Sequence, residues 1–517
     1  MINIIPQSEV RLLKTPLEKD EAHTLSWSSL SDQTAYMLSK VQNSYTEFTY
    51  IRETQALVVP ANYDTIYTCN YLMYKNTGFN NKYFYAFITK MEYVSENSTR
   101  IYFEIDSLQT WYFQINYNNV FIEREHVSDD TIGLHTIPEG LEMGEYITSN
   151  PQSSSHVTNL CLCMGLSTGN NGANMNGQYT GLNYVFFRNI ANTQYAFGAL
   201  NEYKNTILNN DEAIVCIFPV PINMINDYIN WNLPIGSTGL TYGLLNNSNI
   251  DNAFNLGTFG GTWLNKLGTY TPVNNKLLCY PYRYLMLTNN NGANNIYKFE
   301  DFSNNPSISF NIYGSLVPSC SFICVPNNYK GVTQNYSESL IGAKLPLACW
   351  TSDLYTNWAT QNGINKELAN ISGETEAQIA NLTSAFGAGN LPIFGAMKEI
   401  YSHSQIPNAI RGNTNGGDIN FTLGNCNYLL YTMFIKPEYA RCIDNYFTKF
   451  GYKVNRVKTP NIGSRRNFNY ITTIDCNFTG DIPQEDLEKI KELFNNGITF
   501  WHNAENYLNY SVNNDII

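Results

Sequence analysis

The sequence predicts a mainly β fold with a few α-helices, that is, an α+β protein. Aromatic residues are abundant in the 517-residue chain, with 38 Tyr and 27 Phe, and such residues favour pleated surfaces. Asn and Gly are frequent between the aromatic stretches, where they favour tight turns. Two amphipathic stretches near the C-terminus supply the helical part of the prediction.

Residues 44–120 predict successive strands, and the clearest pair is a β-hairpin. The stretches YFYAFITKMEYV (83–94) and RIYFEIDSLQTWYFQI (100–115) flank the short polar turn SENST. Glu104 and Asp106 lie two residues apart on the second strand and are expected to share one face. Two carboxylates on one face suit either acid/base chemistry or an edge that faces solvent or a subunit, and the second is much the commoner arrangement.

Residues 150–345 are rich in Asn and Gly and only weakly periodic, which predicts short strands joined by long loops. Asn-Gly turn signals occur in NGANMNGQYTGLNY (171–184) and LTNNNGANNIY (287–297). No internal repeat is evident in the sequence. This part is therefore expected to be an inserted β-rich region.

The strongest helix signals lie near the C-terminus. KPEYARCIDNYFTKFG (436–451) and DIPQEDLEKIKELFNNG (481–497) each have Pro near the start, Gly at the end and an apolar stripe between them. FNYITTIDCNFTG (468–480), between the two, predicts a strand. A further helix is expected at roughly residues 363–385, where apolar residues recur near helical spacing.

The charge balance excludes some classes of function. The formal net charge is −12, so a tight nucleic-acid binder is not expected, although DNA can slide past a wall that does not attract it. Charged residues make up 14% of the chain, which suits a surface that neighbouring subunits cover. The eleven cysteines have neither zinc spacing nor a disulfide framework, and buried thiols are expected. The N-terminus does not resemble a signal peptide, and no segment predicts a conventional transmembrane helix.

The segment AFGAGNLPIFGAM (385–397) differs from the rest of the chain in the kinds of side chain that it combines. It alternates small residues with bulky apolar ones, has almost no polar side chain, and is too short and too broken by Pro to span a bilayer. One interpretation is a buried loop, and the other is an interfacial or re-entrant membrane-active segment. In the second case the side chains that contact lipid are Phe386, Leu391, Pro392, Ile393, Phe394 and Met397.

FIEREHVSDD (121–130) and IGLHTIPEGLEMGEY (132–146) combine two histidines with many carboxylates. His126 and His135 are nine residues apart, which does not match zinc-ligand spacing, and the acidic residues lack the pattern of a calcium loop. Acid/base catalysis by Glu123, Glu125 or their neighbours stays possible on chemistry alone. The stretch is interpreted as architecture, and no catalytic, cofactor-binding or metal-binding residue is predicted.

Several motifs together resemble one protein family. FYAFITKMEYVSENSTRIYFEIDSLQTWYFQI, followed by FIEREHVSDDTIGLHTIPEGLEMGEY, is similar to the tail knob (distal tail tube) proteins of small short-tailed, Picovirinae-type phages of Gram-positive bacteria. FGYKVNRVKTPN (450–461), RRNFNYITT (465–473) and LFNNGITFWHN (493–503) resemble the closing segment of the same family, in the same order. The similarity extends over roughly 63–146 and 436–517 and is faint between them.

The resemblance implies a homohexameric ring that extends the tail tube, with a β-rich tube-wall domain built from both chain ends. It implies four parts: residues 1–150 and 426–517 as the two halves of the tube-wall domain, 151–345 as an inserted knob region, and 346–425 as a helix plus an apolar loop. That loop is expected to enter the host cell membrane during genome ejection. Implied partners are further copies of the chain, upper tail or collar proteins, the host membrane, and double-stranded DNA that passes without specific binding. The protein is expected in the virion, at the tail tip, after synthesis in the host cytoplasm, with no cofactor and no enzymatic activity.

An alternative function from another class is a β-rich glycan-binding or glycan-cleaving receptor-binding tail component. Aromatic-rich β-domains stack on sugars, and Glu104, Asp106, Glu123 and Glu125 offer carboxylates.

Overall fold

The structure is a computed structural model that describes residues 8–46, 55–77, 80–149, 151–154, 160–166, 178–179, 182–188, 193–208, 213–237, 239–245, 254–263, 265–290, 292–314, 316, 322–342, 347–350, 411–415 and 427–517. The chain divides into two compact units. Unit 1 comprises Met1–Met143, Pro272–Leu277 and Glu438–Ile517, and unit 2 comprises Gly144–Thr271 and Leu278–Pro437. The described residues are mainly β with a few helices, as the sequence predicts.

The larger sheet of unit 1 has six strands and is antiparallel throughout, in the order β3-β1-β5-β6-β7-β4. Alternating Val10, Leu12, Leu72, Ala86, Ile101 and Phe103 bury one of its faces. The strands are β1 (Ser8–Leu13), β3 (Val41–Thr46), β4 (Ala56–Val59), β5 (Tyr71–Asn76), β6 (Tyr83–Ser95) and β7 (Ser98–Ile105).

A second sheet of unit 1 combines both chain ends in the order β2-β31-β29-β9-β28. β2 pairs with β31 in parallel, and the other neighbours are antiparallel. Its strands are β2 (His23–Leu25), β9 (Val120–Glu125), β28 (Tyr452–Lys458), β29 (Phe468–Ile474) and β31 (Ile498–Trp501). The short strands β8 (Ile115–Asn116) and β30 (Thr479–Gly480) pair with each other in a separate two-stranded sheet. The predicted strand in 468–480 is therefore confirmed as far as Ile474.

The helices of unit 1 are α1 (Leu30–Ser39), α2 (Tyr63–Ile66), α3 (Ser107–Trp111), α6 (Pro437–Phe450) and α7 (Gln484–Asn496). The predictions of α6 and α7 are confirmed, and α7 packs on β29 through its apolar stripe. Gly451 ends α6 at φ +65°, where an added Cβ would collide with the carbonyl oxygen of Glu125, so only glycine fits.

The predicted hairpin is confirmed as β6 and β7, but the second strand was predicted too long. β7 ends at Ile105 because Asp106 caps α3: its Oδ1 accepts a hydrogen bond from the backbone N–H of Gln109 at 2.9 Å. The expectation that Glu104 and Asp106 share a strand face is therefore wrong, because the strand ends between them. For the same reason, 44–120 is not a series of strands alone.

The described residues of unit 2 form three sheets. The first has the order β10-β27-β19-β20 with β11 beside β27, and its β19–β20 pair confirms the turn predicted within 287–297. The second has the order β16-β17-β14-β12-β15-β25-β26 with β13 beside β14, and the third has the order β18-β21-β22-β23 with β24 beside β22. The strands are β10 (Tyr146–Thr148), β11 (Gln152–Ser153), β12 (Leu160–Leu166), β13 (Gln178–Tyr179), β14 (Leu182–Phe187), β15 (Ile214–Pro221), β16 (Ile229–Ile235), β17 (Leu240–Leu245), β18 (Phe254–Thr262), β19 (Arg283–Thr288), β20 (Asn294–Tyr297), β21 (Ser307–Gly314), β22 (Phe322–Tyr329), β23 (Val332–Gln334), β24 (Leu340–Ile341), β25 (Leu347–Trp350), β26 (Arg411–Asn415) and β27 (Leu429–Ile435).

Two helices of unit 2 were not predicted, α4 (Thr193–Thr206) and α5 (Ile222–Ile225). α4 packs on the second sheet through Ala196, Ala199, Leu200 and Tyr203, which follow helical spacing. At the edge of that sheet β25 and β26 are antiparallel, with Trp350 opposite Arg411.

Some expectations fall outside the described residues. The helix predicted at 363–385 and the apolar segment 385–397 both lie there. Within the part of the chain that the structure describes, no helix has the length and hydropathy needed to cross a bilayer. Among the eight cysteines whose side chains the structure describes, seven are buried, as predicted for thiols in a core, and Cys442 is exposed.

Candidate functional site

His126 is a structural residue at the end of β9. The backbone N–H of Tyr470 donates to its Nδ1 at 2.7 Å, so the proton lies on Nε2, which donates to the carbonyl oxygen of Thr448 at 3.0 Å. Burial lowers the pKa of His126 to about 3, and nearby Arg465 acts in the same direction. The ring is therefore neutral and connects α6 to β29.

His135 and the two aspartates beside it also make structural contacts. Nε2 of His135 bonds to the backbone oxygen of Asp129 at 2.8 Å. Asp130 accepts from the hydroxyl of Tyr452 at 2.7 Å and from the backbone N–H of Asn275 at 3.0 Å, and burial raises its pKa. Among the described residues, no group of three or more His, Cys, Asp or Glu side chains is placed to hold a metal ion.

Glu139 is the centre of a buried network. Its carboxylate pairs with Arg124 and Lys276 and accepts a hydrogen bond from the backbone N–H of Lys453 at 2.9 Å. The side chain of Glu139 is fully buried, and those of Arg124 and Lys276 are 12% and 3% exposed. We call Arg124, Asp130, Glu139, Lys276 and Tyr452 the buried lock.

The buried lock holds residues 272–277, a short crossing of the chain through unit 1 that we call the clasp. Asp444 on α6 holds the clasp from another side: its carboxylate accepts from the backbone N–H of Val273 at 2.8 Å and of Asn274 at 3.0 Å, and from Asn274 Nδ2 at 2.8 Å. The acidic and basic residues of the clasp contacts are thus used for packing, which agrees with the interpretation as architecture.

The predicted carboxylates of β9 differ from one another. Glu125 is buried and pairs with Lys458 across the β9–β28 ladder, and burial raises the pKa of Glu125. Glu123, two residues earlier, is half-buried at a step in the register between β9 and β29. The structure does not bring either carboxylate to the cavity described next.

A cavity of about 150 Å³ lies in unit 1, beside the edge strand β2. Phe87, Ile105, Leu108, Leu493 and Ile498 supply apolar walls. The polar lining has five carboxylates against two lysines and one histidine: Glu18, Glu21, Glu104, Asp106, Glu492, Lys19, Lys489 and His23, with Thr24 and Ser107. The cavity thus brings Glu104 and Asp106 together, although not on one strand face.

Both predicted carboxylates of the cavity are engaged. Glu104 pairs with Lys19 through Oε2 and with Lys489 through Oε1 at 3.1 Å, and hydrogen bonds from these lysines lower its pKa. Asp106 caps α3 with one oxygen and accepts from the hydroxyl of Tyr71 at 2.9 Å with the other. Burial raises the pKa of Asp106 to about 6.

Sequence reasoning missed two polar constellations that combine the chain ends. Nδ1 of His23 bonds to Asp20 and its Nε2 to the hydroxyl of Tyr510 at 2.9 Å. Ser26, His502 and Asn469 form a second chain, with His502 Nε2 at 2.9 Å from Asn469 Oδ1.

A hydroxyl beside an imidazole suggests a nucleophile and its base. Ser26, however, also bonds to the carbonyl oxygen of Trp501, which continues the β2–β31 pairing, so the group stabilises the sheet. Because the partners lie almost the whole chain apart, no local spacing could have revealed either constellation.

The predicted membrane-active residues Phe386, Leu391, Pro392, Ile393, Phe394 and Met397 lie outside the described residues, so their contacts stay a prediction.

Comparison with known proteins connects this architecture to phage tails. A family model described as the C-terminal domain of the tail knob protein gp9 of Bacillus phage phi29 matches residues 247–515. A second, described as the N-terminus of caudoviral major tail proteins, matches residues 6–116. Tail knob proteins gp9 of Bacillus phages PZA and phi29 are 28% and 27% identical, each over 98% of this chain and 98% of the relative.

Tail knob protein gp9 of Bacillus phage B103 is 27% identical over 88% of each chain. The solved structure of the tail knob protein gp12 of bacteriophage C1 superposes with a TM-score of 0.65 at 15% identity, covering 99% of this chain and all of that one, and shows a shared fold. The chain therefore belongs to the phi29-type tail knob protein family and is a tail component of a phage virion.

Proposed function

We propose that the chain forms a homohexameric ring at the distal end of the tail tube and that its two ends together build the tube wall. The observation that carries this proposal is the five-stranded sheet of unit 1. β9 from the N-terminal part lies between β28 and β29 from the C-terminal part, and β2 pairs with β31. A single wall element made from both ends leaves the middle of the chain free to be an insertion, which supports the division into 1–150, 151–345, 346–425 and 426–517.

The tube is proposed to pass double-stranded DNA without binding it specifically. The chain has 43 acidic and 31 basic residues, so its summed field repels phosphate. A wall that attracts the backbone strongly would hold DNA by releasing its counterions, whereas a neutral or acidic wall lets DNA slide. Upper tail or collar proteins are the proposed partners on the other side of the ring.

The apolar segment 385–397 is proposed to enter the host membrane during ejection. The pairing of Trp350 with Arg411 supports this, because it brings the two ends of 351–410 to neighbouring strands, about 5 Å apart. Insertion into the membrane would then need no change in the pairing of β25 with β26. Transfer of each large apolar side chain into lipid gains about 1.5–3 kcal/mol, and six copies multiply the effect.

Dye release from liposomes tests the membrane proposal. Deletion of Ala377–Met397 is expected to leave ring assembly intact and to abolish release. Serine substitutions at Phe386, Leu391, Ile393, Phe394 and Met397 are expected to abolish release as well, because they remove the apolar side chains and keep the length.

The matched control keeps the apolar character: Leu391→Met with Ile393→Val is expected to release dye at the rate of the unaltered protein. Release by the deleted ring would show that another part of the protein permeabilises the bilayer and would overturn the membrane proposal.

Glycan cleavage is the second candidate, and one observation favours it: Glu104 and Asp106 line the same cavity, and one of them has a raised pKa. We nevertheless propose a non-enzymatic role, because both oxygens of each carboxylate already accept bonds within unit 1. Incubation with purified host cell wall discriminates the two. Turnover that disappears on Glu104→Gln would favour the glycosidase.

A further inference from the structure

An apolar row crosses three strands on the exposed face of the five-stranded sheet of unit 1. Val457 on β28 lies opposite Phe121 on β9, which in turn lies opposite Ile474 on β29. These side chains are 68%, 36% and 46% exposed, whereas Ile122, the next residue after Phe121, points to the other face and is fully buried. Three adjacent exposed hydrophobics in register form a contact surface rather than scattered surface residues.

A basic side chain lies at the edge of the same sheet, on the face opposite to the row. β28 is the terminal strand of the sheet, and Arg456 precedes Val457 on it and pairs with Ile122, so the two side chains project to opposite faces. Arg456 is exposed, and no carboxylate of the described residues forms an ion pair with it, whereas Lys458 already pairs with Glu125. We call the exposed edge of β28, with Arg456 on one face and Val457 on the other, the basic edge.

The opposite edge of the same sheet has the complementary character. The cavity beside β2 has three exposed carboxylates, Glu18, Glu21 and Glu492, that form no ion pair within the described residues. Both lysines of the cavity are instead bound to Glu104. Leu493 and Ile498 beneath these carboxylates suit the aliphatic stem of an arginine. We call the surface formed by Glu18, Glu21, Glu492, Leu493 and Ile498 the acidic edge.

A ring with cyclic symmetry needs two different and complementary surfaces on each subunit, because every interface joins one face of a copy to the other face of the next. The basic edge and the acidic edge lie at β28 and β2, four strand intervals or about 19 Å apart across the sheet. We propose that the basic edge of one copy docks on the acidic edge of its neighbour, with Arg456 entering the cavity and pairing with Glu492. This inference rests on the proposed ring and names its interface.

The occupant is a second copy of this chain because both halves of the contact are present on one unit and match in charge. A contact between identical surfaces would instead place the Arg456 side chains of two copies together, which is electrostatically unfavourable. Charge complementarity also suppresses wrong registers during assembly, because like charges meet when the ring closes out of register.

A charge exchange between two variants tests the contact. Arg456→Glu and Glu492→Arg are made in the full chain, and assembly is measured by native mass spectrometry and sedimentation at fixed salt. Each variant alone is expected to assemble about tenfold less well, because every interface then joins like charges. An equimolar mixture is expected to form rings that contain three copies of each variant, because alternating subunits restore an opposite-charge pair at every interface.

Arg466→Glu is the matched control, since Arg466 is also exposed and lies at the end of β29 away from Ile474. It is expected to assemble like the unaltered chain. If Arg456→Glu lowers the midpoint of thermal unfolding, Glu492→Arg on the exposed side of α7 tests the same contact from the other surface.

The assembly measurements distinguish failure of the named interface from failure of the proposed ring. If both single variants form rings as well as the unaltered chain does, the interface named here is wrong, although the proposed ring is not. The two edges would then contact another tail component. Absence of rings from the unaltered chain would overturn the proposed ring itself.

Discussion

The buried lock around Glu139 and the acidic edge beside β2 use the same residue types in opposite ways. In the buried lock one carboxylate pairs with two basic side chains and all three are removed from water. At the acidic edge the two lysines are bound to one carboxylate, and three others remain exposed without an ion pair among the described residues. Burial and ion pairing, rather than the density of charged residues in the sequence, therefore distinguish structural residues from a contact surface.

Glu139→Gln, in the buried lock, should produce the largest change in the free energy of unfolding. Removal of the negative charge leaves Arg124 and Lys276 buried together without their counter-ion, so the free energy of unfolding should fall by about 3–5 kcal/mol. Urea denaturation measures the change. Glu142→Gln, at an exposed position of the same segment, should change it by no more than about 0.5 kcal/mol. Equal effects of the two substitutions would show that the ion pairs of Glu139 do not stabilise the folded chain.

Asp444→Asn should weaken the clasp by a smaller amount. Asparagine keeps only one acceptor oxygen, so one of the two hydrogen bonds from the backbone N–H groups of Val273 and Asn274 is lost, and loss of a bond to a charged acceptor costs about 1.5–3 kcal/mol. Amide hydrogen exchange at these two residues should accelerate by the same free energy. Glu438→Gln, exposed in the first turn of α6, is the control and should leave the exchange unchanged.

His126 should make stability depend on pH. Burial lowers the pKa of His126 to about 3 from an ordinary value of 6.5, so below pH 6.5 the unfolded chain binds a proton that the folded chain does not. The free energy of unfolding therefore decreases as the pH falls from 6.5 towards 3, by up to about 1.4 kcal/mol per pH unit. Asp106 acts in the opposite direction: its pKa is raised from 3.8 to about 6, so its protonation adds stability as the pH falls through that range.

The variant His126→Gln isolates the contribution of the imidazole. Its free energy of unfolding should be lower than that of the unaltered chain at pH 7, and the difference should shrink on acidification to pH 5. Denaturation at pH 7, 6 and 5 measures both chains. A difference that stays constant with pH would contradict a buried neutral His126.

Glu492→Gln, at the acidic edge, should have the smallest effect on the free energy of unfolding of the isolated chain. Because Glu492 is exposed and forms no ion pair in the described part of unit 1, the free energy of unfolding should change by no more than about 0.5 kcal/mol. Assembly should weaken in the same variant. A large loss of stability would place Glu492 among the structural residues, together with Glu139.

Much of the fold could be predicted where several local signals agree. α6 and α7 each combine a Pro near the start, a Gly of positive φ at the end and an apolar stripe, and both were found. The end of β7 was missed because E-I-D continues the alternation of a strand, and only the capping role of Asp106 stops it. α4 was missed although Ala196, Ala199, Leu200 and Tyr203 have helical spacing, because alanines are weak signals in an Asn-rich stretch.

The sites were less predictable than the fold because they depend on long-range contacts. The buried lock joins residues near 130, 276 and 452, and the acidic edge joins residues near 20, 104 and 492, so no local motif contains either. The interpretation of the His-rich stretch as architecture required only that ligand spacings were absent, and the partners of His126 agree with it. The exposed row needed the strand register, since Phe121, Val457 and Ile474 come from three separate segments.

Negative-stain imaging of the purified full chain tests whether the chain forms a hexameric ring. Six-fold rings with a central channel are expected, and class averages give the symmetry without any further assumption. Compact monomers or three-fold particles at the concentrations where the unaltered chain is folded would contradict this expectation.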